Sequence, residues 1–193
     1  MSEPSTYQGP APVARSAIGA DAVGSPDTAR LTDESALGKL LVRAPVDGPM
    51  APALGTRFGR AVRDGDRLTV GSGPGEWLVF APVADLPKLA SWLEQQGEAD
   101  PGLVSVVDLT HGRAMVRLTG PDAAGVLARV CAVDLSDGIT PDGAAFRSSV
   151  ARVATDVVRD DHDDVPSYLL HVERSSGTYL WDELSRIVKL WPR

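Results

Sequence analysis

Val107-Asp108-Leu109-Thr110-His111-Gly112-Arg113-Ala114-Met115-Val116-Arg117-Leu118-Thr119, continued by Gly120-Pro121-Asp122, is the stretch on which the fold reading turns. Val104, Val106 and Leu109 lie among β-favouring neighbours and predict a strand. His111-Gly112 interrupts the apolar run as a turn. Ala114, Val116 and Leu118 then alternate with Met115, Arg117 and Thr119, the period of a second strand with one buried face. Gly120 breaks that strand, Pro121 suits a first helical turn, and Asp122 suits the positive end of a helix dipole. Ala123, Val126, Leu127 and Val130 follow at helical spacing. The unit reads strand, turn, strand, helix.

Working outward, the same grammar recurs. Leu68-Thr69-Val70 and Trp77-Leu78-Val79-Phe80 predict two strands around Gly71-Ser72-Gly73-Pro74-Gly75. Asp85 is placed to cap a helix carrying Leu86, Leu89, Ala90 and Leu93 on one face, with Gly97 closing it. Ser148 to Val158 and Ser167 to Val172 read as strands joined by the polar Arg159–Asp164 connection. Leu180, Leu184, Ile187, Val188 and Trp191 mark a last helix, with Asp182 and Glu183 early and Lys189 late, matching its dipole. Ser35 to Leu41 reads equally as a short helix or an extended segment, Pro45 to Pro52 as loop, and Arg63-Asp64-Gly65-Asp66 as a turn.

The order is ββαββαββα. It predicts an α+β fold of ββα-type units, a mostly antiparallel sheet with helices on one side. Residues 1–30 are rich in Pro, Ser, Ala and Gly, with only scattered Val13, Ile18 and Val23. Such a segment buries too little surface to offset its ordering entropy, so a disordered tail is expected over 1–30 and a single domain over 31–193.

Composition narrows the function classes. A net charge of −7 argues against nucleic acid or an anionic membrane surface as the partner, because both attract clustered Lys and Arg. A single cysteine forbids an internal disulfide framework. No apolar run approaches the roughly 20 residues of a membrane-spanning helix, and the N-terminus lacks the pattern of a secretory signal. A cytoplasmic location is expected.

Candidate chemistry is sparse. A phosphate-cradling reading of Gly71–Gly75 needs a helix opening after the glycines, but Glu76-Trp77-Leu78-Val79-Phe80 is strand-like and Pro74 removes a donor, so a hairpin loop is expected. The acidic Asp160–Asp164 run lacks the ligand spacing of a calcium loop and reads as a solvated connection. His111, His162 and His171 form no zinc pattern with one cysteine. Cys131 sits at a helix C-terminus, where the dipole opposes a thiolate, so a buried inert thiol is expected. The four tryptophans leave interface and core-edge roles open for at least one of them.

Several pieces in order resemble a known family. Gly73-Pro74-Gly75-Glu76-Trp77-Leu78 is similar to a Gly-Pro-Asp-Glu-Trp-Leu segment, with Gly75 in place of the usual Asp. Asp108-Leu109-Thr110-His111-Gly112-Arg113 is similar to Asp-Leu-Ser-His-Gly-Arg. Leu118-Thr119-Gly120-Pro121, Cys131-Ala132-Val133-Asp134-Leu135, Val172-Glu173-Arg174-Ser175 and Tyr179-Leu180-Trp181-Asp182 complete the set. Together, over about Leu31 to Leu190, they resemble the gamma subunit of heterotetrameric sarcosine oxidase, a relative of the aminomethyltransferase (glycine-cleavage T-protein) family. The N-terminal segment and the Asp160–Asp164 connection lie outside the pattern.

The resemblance implies a truncated aminomethyltransferase-like domain in a complex with alpha, beta and delta subunits. That complex oxidatively demethylates sarcosine to glycine, forms hydrogen peroxide and passes the one-carbon unit to tetrahydrofolate. FAD, FMN, NAD and tetrahydrofolate are implied for the other subunits, and no catalytic, cofactor-binding or metal-binding residue is expected on this chain. Asp134 occupies the place of a functional Asp in the transferase family. It is read here as a relic or a structural cap, because the family's folate pocket draws on further domains. The alternative is a stand-alone folate-binding or aminomethyl-transfer protein.

Overall fold

The computed structural model describes residues 15–192. Eleven strands among them form two antiparallel sheets rather than the one expected. The six-stranded sheet holds, in spatial order, β1 (Val23–Gly24), β2 (Arg30–Asp33), β8 (Arg113–Thr119), β11 (Ser167–Glu173), β10 (Val153–Arg159) and β9 (Ala145–Val150). The five-stranded sheet holds β4 (Ala61–Asp64), β5 (Arg67–Gly73), β6 (Glu76–Ala81), β3 (Gly38–Arg43) and β7 (Ser105–Asp108). The undecided Ser35–Leu41 segment therefore runs from a turn into a strand.

Four layers result. Helices α3 (Ala123–Leu127) and α4 (Gly177–Lys189) cover the outer face of the six-stranded sheet. Leu180, Leu184 and Val188 of α4 meet Leu31, Val116, Leu118 and Leu170 there. Helices α1 (Met50–Leu54) and α2 (Leu86–Glu98) cover the five-stranded sheet, with Leu86 and Leu93 against Leu40, Val42, Trp77 and Val79. The inner faces meet each other through Leu68, Val70, Leu78, Phe80, Met115, Val158 and Leu169. Each sheet thus has helices on one side, as expected, and a second sheet on the other. Strands buried on both faces lose the apolar–polar alternation that marks a solvent face, which explains the unbroken apolar run in β6.

The sheets cross. Lys39, Phe80, Leu68 and Arg63 form one row across the five-stranded sheet. Phe80 meets His171 in β11, while Arg63 reaches Asp160 beside Ser167, at the other end of that strand. At one corner the sheets join by hydrogen bonds, from the Ala61 N–H to the Gly143 carbonyl (2.7 Å) and from the Ala145 N–H to the Gly59 carbonyl (3.0 Å).

The decisive stretch contains both predicted strands, but they do not form a hairpin. β7 pairs with β3 in one sheet, and β8 pairs with β2 and β11 in the other. Leu109–Gly112 carries the chain across. The Asp108 carboxylate accepts the Thr110 N–H, and Thr110 Oγ1 accepts the Lys39 N–H, which ties the crossing to β3. The family-like Asp-Leu-Thr-His-Gly-Arg piece is thus the hinge between sheets.

Other expectations are corrected. Ser148–Val158 is a tight hairpin of β9 and β10 turning at Ala151 and Arg152, both at positive φ. That turn type usually takes Asn or Gly, so the residues gave no signal. Asp85 precedes α2 without a side-chain capping bond, and Gly97 lies inside that helix, where a Cβ would come within 2.8 Å of Val104. Of the expected tail, residues 1–14 lie outside the described residues, but 15–30 run along the core and place several side chains against it. Ala17, Ile18, Ala20 and Val23 lie on the core, and β1 pairs with β2. Ser16 Oγ and the Gly19 N–H both donate to Asp33, an anchor supplied by a residue beyond the low-complexity segment.

Candidate functional site

The layer between the sheets carries charge at three places. The first is Lys39, fully buried in β3, whose ammonium donates to the carbonyls of Ser35 (2.9 Å) and Leu37 (2.6 Å). Burial pulls its pKa down to about 8, against the opposing pull of Asp33 and Asp108.

The second is a row across the inner face of β9, β10 and β11. Arg147 pairs with Asp156 at 3.1 Å, and Asp156 accepts His171 Nδ1 at 3.1 Å. His171 is 2% exposed, and the Phe80 ring lies tilted against it with centroids 5.5 Å apart. A carboxylate only accepts, so the neutral imidazole carries its proton on Nδ1. Nε2 is buried and has no hydrogen-bond partner among the described residues. Burial lowers the His171 pKa; Asp156 opposes this, and Arg113 and Lys39 reinforce it.

The third is centred on Asp160. Arg63 donates Nε to Oδ1 at 2.7 Å and Nη2 to Oδ2 at 2.5 Å, a two-pronged clamp from the opposite sheet. Arg117 adds Nη2 to Oδ2 at 2.9 Å and Nη1 to Ser167 Oγ at 2.7 Å. His162 Nε2 lies 3.1 Å from Oδ2. Burial alone would raise the Asp160 pKa, but the Arg63 and Arg117 guanidinium groups and the His162 hydrogen bond hold it at about 2. A cleft of about 290 Å³ opens beside the cluster, with Arg63, Arg117 and His162 on its polar wall and Leu68, Phe80 and Leu169 on its apolar one.

This cluster joins the sheets more than it invites chemistry. Both guanidinium groups are already committed to Asp160, and Glu34 and Asp66 also line the cleft, so its charges are largely engaged with one another or mixed in sign. Among the described residues, no group of three or more His, Cys, Asp or Glu side chains is placed to hold a metal ion.

The residues singled out from sequence fall elsewhere. Asp134 is exposed; its carboxylate accepts the Ser136 N–H and its carbonyl accepts the Thr140 hydroxyl, so it caps the loop after α3. The Ser136 bonds lower its pKa. Cys131 is buried, with Sγ 3.9 Å from Ser148 Oγ. The Gly71–Gly75 run is the β5–β6 hairpin: a Cβ at Gly71 would lie 2.2 Å from the Arg57 carbonyl oxygen, and Gly75 turns at φ +67°. The Arg159–Asp164 connection is not fully solvated, since Arg159 and Asp160 are buried. His111 lies at an exposed turn as expected. Trp77 and Trp181 are core, while Trp92 and Trp191 sit at core edges beside Arg67 and Arg129.

Sequence reasoning missed Lys39, Arg63, Arg117 and Asp156. Arg117 falls on the strand face opposite the one read as buried, because alternation reveals two faces without telling solvent from a second sheet. The available signal was the apolar run of β6, which requires cover on both sides.

No protein-family model matches the chain. A curated aminomethyltransferase of Geobacillus thermodenitrificans is 25% identical over 172 residues, covering 81% of this chain and 46% of that protein. The chain thus spans about half the length of the curated relative it matches. Among solved structures, a chain of heterotetrameric sarcosine oxidase from Corynebacterium sp. U-96 superposes with a TM-score of 0.74 at 22% identity, covering 86% of this chain and 87% of the other. Glycine cleavage system aminomethyltransferase T from Bartonella henselae gives 0.62 at 15% identity, covering 82% of this chain and 45% of that one. Two crossed antiparallel sheets with helices on their outer faces are therefore an aminomethyltransferase-related fold, in the form found in a chain of heterotetrameric sarcosine oxidase.

Proposed function

We propose that this chain is a gamma-type, non-catalytic subunit of a sarcosine oxidase-like complex and supports its assembly. The observation that carries the reading is near-equal mutual coverage. The chain and the oxidase chain cover one another almost equally, whereas fewer than half of the transferase's residues are matched. The charged layer adds support, because its cations are spent on joining two sheets. In this reading alpha, beta and delta subunits are the partners, and FAD, FMN, NAD and tetrahydrofolate belong to them. The complex demethylates sarcosine to glycine with peroxide formation and one-carbon transfer, in the cytoplasm.

The test is gentle purification of the tagged chain from its native host, followed by visible spectroscopy. Co-eluting larger subunits, a flavin spectrum and sarcosine-dependent peroxide are expected. A colourless chain eluting alone while the partner genes are expressed would overturn the assembly role. Calorimetry with tetrahydrofolate then tests the stand-alone folate-binding reading; heat that disappears in Asp134→Asn would establish it.

A further inference from the structure

His171 is a buried titratable group on the inner face whose second ring nitrogen has no partner among the described residues. It stands directly opposite Asp156 in the β10–β11 register, with Met115 on its other side in β8. Phe80 packs against its ring from the facing sheet and also lines the cleft beside Asp160. One aromatic side chain therefore touches the imidazole and lines the cleft as well.

We propose that His171 is an acid-sensitive latch between the two sheets: neutral, it seats Phe80 and closes the layer; protonated, it releases Phe80 and loosens the sheet–sheet contact.

The charges facing it decide the direction. From β10, Asp156 favours protonation, but that carboxylate is shared with Arg147 of β9. From β8, Arg113 opposes it and is itself partly offset by Glu173 of β11. From β3, Lys39 opposes it from within the same layer. Protonation also turns Nε2 into a charged donor with no acceptor, which is costlier than an idle lone pair. A cation held against the Phe80 face recovers only part of this. The balance favours neutral His171 in the closed layer, so the folded protein binds fewer protons here than the unfolded chain. Stability contributed by the latch is complete above the ordinary histidine range and is lost as pH falls below about 6.5.

The test is urea unfolding of the full chain at pH 7, 6 and 5, for wild type, His171→Gln and the exposed control His111→Gln. Relative to His171→Gln, the wild-type unfolding constant should rise on acidification with a slope approaching tenfold per pH unit, the limit for one proton. His111→Gln should keep the wild-type slope. Equal slopes in wild type and His171→Gln would overturn the proposal. If His171→Gln does not fold, sequence-assigned imidazole resonances of the wild type decide. Protonation of His171 below the ordinary histidine range, accompanied by faster amide exchange at Leu78, Phe80 and Leu169, is expected. Titration in the ordinary range with unchanged exchange would refute the latch.

Discussion

The outer and inner faces of the same strands are built from different materials. In β8 and β11, the side chains turned toward α3 and α4 are Ala114, Val116, Leu118, Tyr168, Leu170 and Val172, all fully buried. Those turned toward the other sheet include Arg117 and His171, set among Met115 and Leu169. The helix-covered layer is held by apolar burial, which is non-directional and tolerant of small shifts. The inter-sheet layer adds hydrogen-bonded charge, which is directional and specifies one crossing geometry. Removing one partner from such a layer costs more than its presence contributed, because the other charge is stranded.

That contrast can be tested by breaking each layer in turn. Leu170→Ala, in the apolar layer, should cost about 4 kcal/mol through lost transfer energy and a residual cavity, read from denaturant midpoints. Asp160→Ala should cost about 3 kcal/mol, although it removes little apolar surface, because Arg117 is left half-buried between the sheets without its carboxylate. The acid limb of stability should change as well. The folded Asp160 pKa, held near 2, lies below its unfolded value. Its contribution is present above about pH 4 and is lost as pH falls toward 2, so Asp160→Ala should flatten the profile there.

Lys39 gives a prediction of the same sign at the other end of the pH scale. Its folded pKa of about 8 lies below that of an unfolded lysine. The unfolded chain binds more protons between about pH 8 and 10.5, and the wild type should gain on the order of 2 kcal/mol over Lys39→Met across that window. The neutral amine keeps two N–H donors, enough for the Ser35 and Leu37 carbonyls. A flat difference between the two proteins would mean that Lys39 is not held in a dry layer. Gly71→Ala should cost about 1–3 kcal/mol, because its Cβ collides with backbone that cannot swing away. Asp134→Asn, at an exposed loop cap whose acceptor is retained, should leave the unfolding midpoint within error of wild type.

The resemblance and the comparisons meet on the fold from different directions. The ordered pieces around Trp77, Asp108 and Cys131 pointed to it through residue identity. In the structure, many of these pieces hold architecture. Trp77 is core and donates to the Thr56 carbonyl, Asp108 shapes the crossing, and Cys131 closes the segment after α3 with a bridge to Val150. Asp134, the one position with a transferase precedent, caps a loop on the surface.

What the sequence by itself determined is local. The helical spacing of Leu180, Leu184 and Val188, the alternation in Ala114–Leu118 and the glycine-bearing turn between Gly73 and Glu76 each follow from interactions spanning a few residues. The amphipathic pattern even named the correct helix faces. What only the tertiary structure decided is which sheet each strand joins, and what covers its second face. β7 and β8 are neighbours in sequence and members of different sheets, because a four-residue link at Leu109–Gly112 is held by Lys39, a residue some seventy positions earlier. Arg63 and Asp160 lie 97 positions apart. No window of sequence contains such a pair, and a charged residue on an alternating strand reads the same whether water or a counter-charge lies opposite it. The identity of the inner layer is therefore a property of chain crossing, and burial converts its ordinary surface residues into the groups that hold the two sheets together.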